Sequence, residues 1–285
     1  MFGYFLNLAW HRCCGTPGVV ALVVLTMAIG IAACMTALAI FHALEGEPLP
    51  GISNHLYVVT MDAREATGVS KGNSAYDQPD SLLTLHDAKA LVDAHRAAAQ
   101  VALADNSPKV FNPEGRQSDV VTGFLSDGPV LQELGVPLRF GRPWTEAEQA
   151  SHSPVLVIDV KLAEKLFGMA NAVGRSVEMN KHRFRVVGVT EPWKPRTSFI
   201  DAVTGGAIAQ DIQLFVPVDT ALDAAMGPKF SGQCDNSTAA FTLGSVDVDH
   251  CRWLDVRVSL KTPAPVASYH SFFANYAAAP PDDGR

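Results

Sequence analysis

The chain has 285 residues, a formal net charge of -7 and 48% hydrophobic residues. That length holds one long domain or two small ones, each able to bury a core. The acidic balance and the lack of a basic stripe argue against nucleic acid as a partner and against a domain that clings to anionic lipid.

The first residues, MFGYFLNLAWHR, place Phe2, Phe5, Leu6 and Ala9 on one helical face. Tyr4, Trp10 and His11 add amphipathic rings of the kind found at membrane interfaces. Residues 1–17 therefore read as a cytoplasmic, interfacial segment, with Pro17 suited to the first turn of a following helix. Gly18 to Phe41 then runs for 24 residues without Asp, Glu, Lys, Arg or His. A helix of that length covers about 36 Å, against a hydrocarbon core of about 30 Å. Lipid cannot satisfy exposed backbone donors and acceptors, so a spanning segment has to be helical. Residues 18–44 are thus predicted to be a transmembrane helix.

Arg12 precedes this helix, whereas Glu45 and Glu47 follow it with no Lys or Arg until Arg64. The positive-inside rule then puts the N-terminus in the cytoplasm and the bulk of the chain outside. A cleavable signal peptide is the rival reading, since Ala37-Leu38-Ala39 has a small-x-small pattern. The apolar run exceeds the usual signal-peptide length of about 7–15 residues, which favours an uncleaved anchor. Gly30, Ala33 and Ala37 would allow close approach of another helix.

Leu56 to Thr60 reads as a strand, residues 63–81 as a polar loop, and Ser81 to Ala99 as a helix with Thr84 and Asp87 at its start. A short strand at Val101 to Ala104 and a hairpin region lead to a run at Asp119 to Leu125. Asp127 to Leu134 reads as a short helix, and Phe140 to Pro143 as a turn. Thr145 and Glu148 have capping-box spacing, Val155 to Ile158 is a buried strand, and Val160 to Phe167 is a helix stopped by Gly168. Strands are expected at Ser176 to Met179 and Phe184 to Val189 around the turn Asn180-Lys181-His182. After an irregular Pro/Gly-rich stretch at 192–213, further strands are expected at Leu214 to Val218 and Leu254 to Leu260. The fold class is α+β: one N-terminal transmembrane helix, then a mixed α/β domain of two subdomains.

The series from Asp119 to Pro192 resembles the periplasmic core domain of MacB-type (MacB/FtsX-like) ABC transporter permeases. The matching pieces are Leu134-Gly135, Gly141-Arg142, Glu146 and Glu148, Val155 to Ile158, Phe167-Gly168, Val173-Gly174-Arg175 and Val186 to Val189. Their order and spacing carry the resemblance, and the glycines and apolar runs read as turns and core rather than as catalytic groups. The opening helix followed by a large outer domain is also this family's arrangement. The resemblance implies a bacterial inner-membrane permease subunit acting as a homodimer or heterodimer. Its implied partners are a separate cytoplasmic ABC ATPase, which would bind the ATP, membrane lipid and a periplasmic adaptor. ATP hydrolysis would drive export or extraction of a substrate on the periplasmic side.

On this reading residues 45–270 are the periplasmic core and 271–285 a polar C-terminal tail. The family continues into three more transmembrane helices, so a truncated permease is expected. The alternative is a single-span periplasmic binding or interaction module acting without an ATPase.

Motifs for chemistry are sparse. The sequence has no GxxxxGK[ST] phosphate loop, HExxH, CxxC or EF-hand loop. The expectation is therefore a non-catalytic subunit with no cofactor and no metal. Gly68-Val69-Ser70-Lys71-Gly72 matches G-x-S-x-G, but its polar flanks lack the strand and helix that a nucleophile elbow needs. His250 beside Cys251 reads as a surface His next to a disulfide Cys, and Phe272, Phe273 and Tyr276 as packing. Cys13, Cys14 and Cys34 lie at or inside the apolar segment, leaving Cys234 and Cys251 as the pair in the outer part. In an oxidising compartment a bridge between them would close a loop of about 17 residues, worth about 3 kcal/mol by chain entropy. Two buried free thiols are the other reading of that pair.

Overall fold

A computed structural model describes residues 16–44, 49, 51–61, 82–114, 117–194, 211–228, 233–234 and 251–278. The chain divides into two compact units, Met1–Gly46 and Glu47–Arg285.

The described part of the first unit is helix α1, Pro17–Leu44. Residues 17–42 of it are long and apolar enough to cross a membrane. Its two hydroxyls are satisfied within the helix, Thr26 Oγ1 donating to Val23 O (2.9 Å) and Thr36 Oγ1 to Ala32 O (2.8 Å). Neither hydroxyl is therefore left as an unpaired donor toward a hydrocarbon phase. The interfacial segment expected before it lies outside the described residues.

The second unit is built on one sheet. In chain order its elements are β1 (Leu56–Val58), β2 (Leu82–Leu83), α2 (Leu85–Asp93), β3 (Ala99–Asn106), β4 (Lys109–Phe111), β5 (Ser118–Val120) and β6 (Gly123–Asp127). Then come α3 (Val130–Glu133), β7 (Leu138–Gly141), α4 (Glu146–Ala150), β8 (Val155–Asp159), α5 (Val160–Phe167), β9 (Ser176–Met179) and β10 (His182–Thr190). The chain closes with β11 (Leu214–Pro217), α6 (Val218–Asp223), β12 (Gln233–Cys234), β13 (Cys251–Arg252), β14 (Leu254–Ser259) and α7 (Pro263–Ala278). Among the described residues the main sheet has 12 strands in the order β1-β14-β3-β6-β11-β8-β10-β9-β4-β5, with β2 on β14 and β7 on β10. β6 and β11 are parallel, as are β8 and β10. The remaining named pairings are antiparallel.

Local chemistry explains the element ends. Thr84 caps α2, its hydroxyl oxygen accepting from Asp87 N at 3.1 Å. Thr145 and Glu148 form a full capping box on α4, satisfying two backbone donors reciprocally. Asp159 Oδ1 accepts from Leu162 N at 2.7 Å to start α5, and Gly168 ends that helix at φ 70, a left-handed position where a Cβ is penalised. Asn180 and Lys181 both have positive φ between β9 and β10, as a two-residue hairpin matching strand twist requires.

The central strands are buried on both sides. Ala102, Ala104, Leu125, Leu156, Ile158, Val186, Leu214 and Val216 enter one core. The alternating residues Val101, Leu103, Phe124, Val155, Val157, Val187 and Phe215 enter another. With a side-chain period of two, these are opposite faces of one sheet. Helices α2, α5, α6 and α7 pack on the first face, whereas α3, Trp144 and Trp193 pack on the second.

The mixed α+β class is the one observed. The two expected subdomains do not separate among the described residues: residues 47–285 form one compact unit, with two cores on the two faces of one sheet. Phe140 and Gly141, expected to open a turn running to Pro143, instead belong to strand β7, which pairs with β10. Helix α6 follows β11 directly, and α2 ends at Asp93, well before Ala99. Asp127 ends a strand rather than starting a helix. The boundary expected at residue 270 falls inside α7. Tyr269, Phe272, Phe273 and Tyr276 share one face of that helix and pack on the core, and Tyr276 Oη donates to Asp87 Oδ1 at 2.7 Å. Residues 271–278 are therefore part of the domain.

Candidate functional site

The motif pieces quoted above turn out to be mostly architectural. Gly141 and Gly188 lie directly opposite each other in the β7–β10 ladder. A Cβ on Gly141 would meet Val187 O at 2.3 Å, and one on Gly188 would meet Arg142 O at 2.5 Å. Only glycine allows these two backbones to approach so closely. Arg142 donates to both oxygens of Glu148 at 2.7 and 2.8 Å. Those bonds, with the capping contacts of Thr145, hold the Glu148 carboxyl down to about 2. The Gly-Arg turn and the acidic stretch are thus one device that fixes α4 against the sheet.

Fixing α4 shapes a cleft of about 670 Å³ at one end of the central strands. β6 delivers Asp127 at its carboxyl end, and parallel β11 runs into α6, whose first turn carries Asp219. The C-terminal half of α2 contributes Lys89 and Asp93, while α4 contributes Glu146 and Gln149. A crevice beyond the carboxyl ends of parallel strands is where loops from several elements converge, a recurrent ligand-site geometry. The apolar wall comes from Val92, Pro129, Val130, Leu131 and Trp144.

One polar relay crosses this cleft. Trp144 Nε1 donates to Gln149 Oε1 at 3.1 Å, and Gln149 Nε2 donates to Asp127 Oδ1. Lys89 Nζ pairs with Asp219 Oδ1 on the opposite wall. Asp127 is 4% exposed. Burial pushes its carboxyl up from 3.8 to about 6; the Lys89 ammonium opposes that rise, and the Asp219 and Asp93 carboxylates add to it. A carboxyl shifted this far inside a cleft is a functional-site candidate on physical grounds.

Of these cleft residues only Glu146 stood out in the sequence, as part of the acidic stretch; the cleft draws on four elements spread over 130 residues between Lys89 and Asp219. The local hint was an acid, Asp127, closing an apolar strand just before Gly128-Pro129. The pair that the sequence did single out lies elsewhere. Cys234 and Cys251 are direct register partners in the small β12–β13 ladder, and Cys251 is buried and disulfide-bonded. Cys34 is a free thiol on α1. The G-x-S-x-G stretch at 68–72 and His250 lie outside the described residues. Among the described residues no group of three or more His, Cys, Asp or Glu could hold a metal.

Comparison with known proteins accounts for this architecture. The MacB-like periplasmic core domain family matches residues 20–266. A macrolide export ATP-binding/permease protein MacB from Chlorobium luteolum is 26% identical over 216 residues, covering 72% of this chain and 29% of that protein. A MacB protein of the same description from Bdellovibrio bacteriovorus is 31% identical over 116 residues, covering 40% of this chain and 16% of its own length. The chain thus spans under a third of these relatives. The crystal structure of the periplasmic region of MacB from Actinobacillus actinomycetemcomitans has the same fold, with a TM-score of 0.51 at 18% identity over 83% of this chain and 89% of that one. With the family matching from inside α1 to the first turn of α7, the chain belongs to the MacB-like periplasmic core domain family.

Proposed function

We propose that this chain is the membrane-anchored periplasmic core portion of an ABC transporter permease subunit. In this reading α1 is an uncleaved single-pass anchor in the bacterial inner membrane, with the N-terminus cytoplasmic and residues 47–285 periplasmic. A cytoplasmic ABC ATPase subunit, which binds the ATP, drives a permease dimer that exports or extracts a substrate on the periplasmic side, with a periplasmic adaptor as a further partner. The chain itself is non-catalytic. Residues Cys234 and Cys251 form a bridge in the oxidising periplasm.

The observation that carries this reading is the family match beginning inside the apolar helix and running through the whole sheet. The flank charges support the orientation, since Arg12 precedes α1 and Glu45 and Glu47 follow it. The test is affinity purification of the full chain from its native membrane. A Walker-type ATPase is expected to co-purify. If the intact protein never associates with one, coupling to ATP hydrolysis fails and the single-span binding module takes its place.

A further inference from the structure

We propose that Asp159 and Thr190 form a proton-operated latch at the carboxyl ends of β8 and β10. The neutral Asp159 carboxyl donates to the Thr190 hydroxyl, and its ionisation loosens the start of α5 together with residues 211–213 beside it. Asp159 and Thr190 are register partners in the parallel β8–β10 pair. Ile158 and Val189, the residue before each, both enter the first core, so alternation turns Asp159 and Thr190 to the opposite face. Neighbouring strands lie about 4.8 Å apart, which puts two such side chains within reach of an O–H···O bond. Both residues are buried, Asp159 at 1% exposure and Thr190 at 0%.

What sets this pair apart is that Asp159 Oδ2 and Thr190 Oγ1 are both enclosed and both without a hydrogen-bond partner. Asp159 Oδ1 accepts from Leu162 N at 2.7 Å, so Oδ2 is the oxygen left for a second role. An enclosed carboxylate oxygen with no donor is costly, whereas a protonated Oδ2 becomes a donor with Thr190 Oγ1 as the acceptor beside it. Burial pushes the Asp159 carboxyl up to about 6; the Leu162 amide and the Lys161 ammonium oppose that rise, and the Asp211 carboxylate adds to it. Lys161 and Asp211, the charged groups that act on Asp159, pair with each other at 2.8 Å. Glu191, next to Thr190, is engaged with Arg139 at the surface. Once ionised, Asp159 competes with Asp211 for Lys161. Residues 211–213 are held here by that ion pair and by Asp159 N, which donates to Gln213 O at 2.9 Å. Both ties start within two residues of the titrating carboxyl, so its ionisation acts on both.

The latch belongs to the domain itself and stands apart from coupling to an ATPase. The full chain in detergent micelles, carrying 13C at its aspartate carboxyls, is titrated by NMR, with the Asp159 signal assigned by its loss in Asp159→Asn. That carboxyl is expected to titrate near pH 6. Thr190→Val keeps the side-chain shape but removes the acceptor, and is expected to lower the midpoint by about 0.7 pH units, the size of one net hydrogen bond to the neutral form. Thr190→Ser keeps the hydroxyl and is expected to leave the midpoint in place. Hydrogen exchange, corrected for intrinsic rates, gives the structural readout. Relative to β4 and β9, the Leu162 and Gln213 amides are expected to be about fivefold better protected at pH 5 than at pH 7.5. Asp159→Asn, which still caps α5 but carries no charge, is expected to remove that dependence. A midpoint below pH 5, a midpoint unchanged or raised in Thr190→Val, or the same pH dependence of protection in Asp159→Asn overturns the proposal.

Discussion

Replacing Asp127 by Asn should stabilise the folded domain at neutral pH and leave it unchanged in acid. The native carboxyl is pushed up from 3.8 to about 6 by burial. In the unfolded chain it ionises near its ordinary value, so between those two pH values the folded state holds the proton and the unfolded state releases it. The unfolded state then binds fewer protons, and folding stability falls as pH rises from about 4 to about 6. At about 1.4 kcal/mol per pH unit, the ionised carboxylate costs on the order of 3 kcal/mol at pH 7.5, with the opposing pull of Lys89 already included.

Asparagine carries no charge and can still accept from Gln149 Nε2, so it removes this cost without removing the relay. For a unit of 239 residues, Glu47 to Arg285, a gain of that size raises the melting midpoint by roughly 6–10 °C. The assay is thermal unfolding of wild type and Asp127→Asn side by side at pH 7.5 and pH 4. Asp159 is also raised to about 6, chiefly by burial, so the wild-type profile alone would mix two groups and only the difference between the proteins isolates Asp127. A difference that is the same at both pH values, or a variant less stable at pH 7.5 than at pH 4 relative to wild type, would refute the reasoning.

Other expectations follow from single contacts. Gly188→Ala puts a Cβ 2.5 Å from Arg142 O and should cost about 1–3 kcal/mol by forcing β7 away from β10, read as a lowered denaturation midpoint. Tyr276→Phe removes the bond to Asp87 Oδ1 and should cost about 1 kcal/mol, with faster hydrogen exchange confined to α7 and the start of α2. Glu148 is held down to about 2 by Arg142 and Thr145, so its contribution is present above pH 4.5 and is lost as pH falls through 2. Arg142→Ala should flatten that acid limb of the stability profile. Non-reducing peptide mapping of protein from the periplasmic face should recover Cys234 and Cys251 in one linked peptide. Cys251→Ser should then lower stability by about 2–4 kcal/mol. Two free thiols in the mapped protein would count against that pairing.

Local patterns carried the elements whose ends have their own chemistry. The capping box at Thr145 and Glu148, the Gly168 stop of α5, and the Asn180-Lys181 hairpin were all legible because each is settled within four residues. β7 and α6 were not legible for the opposite reason. Leu138–Gly141 is short and mostly exposed, and becomes a strand only because β10 offers it a ladder. Val218–Asp223 follows an apolar strand with only Pro217 marking the change, and its buried Val218 and Ala221 pack on one core. Phe272, Phe273 and Tyr276, read as packing, do pack on the core together with Tyr269 from one face of α7, and only the expected boundary at residue 271 cuts through that face.

The sequence by itself determined an apolar membrane-length helix, an α+β domain and a family, because uncharged length, capping chemistry and ordered motifs are all written along the chain. Only the tertiary structure decided where Asp127 sits. Lys89, Asp127, Gln149 and Asp219 meet because β6 and β11 run parallel and end at the same edge, with α2 and α4 packed beside them. Register and strand order fix which distant acids share one low-dielectric cleft, and no local pattern in the chain encodes that convergence.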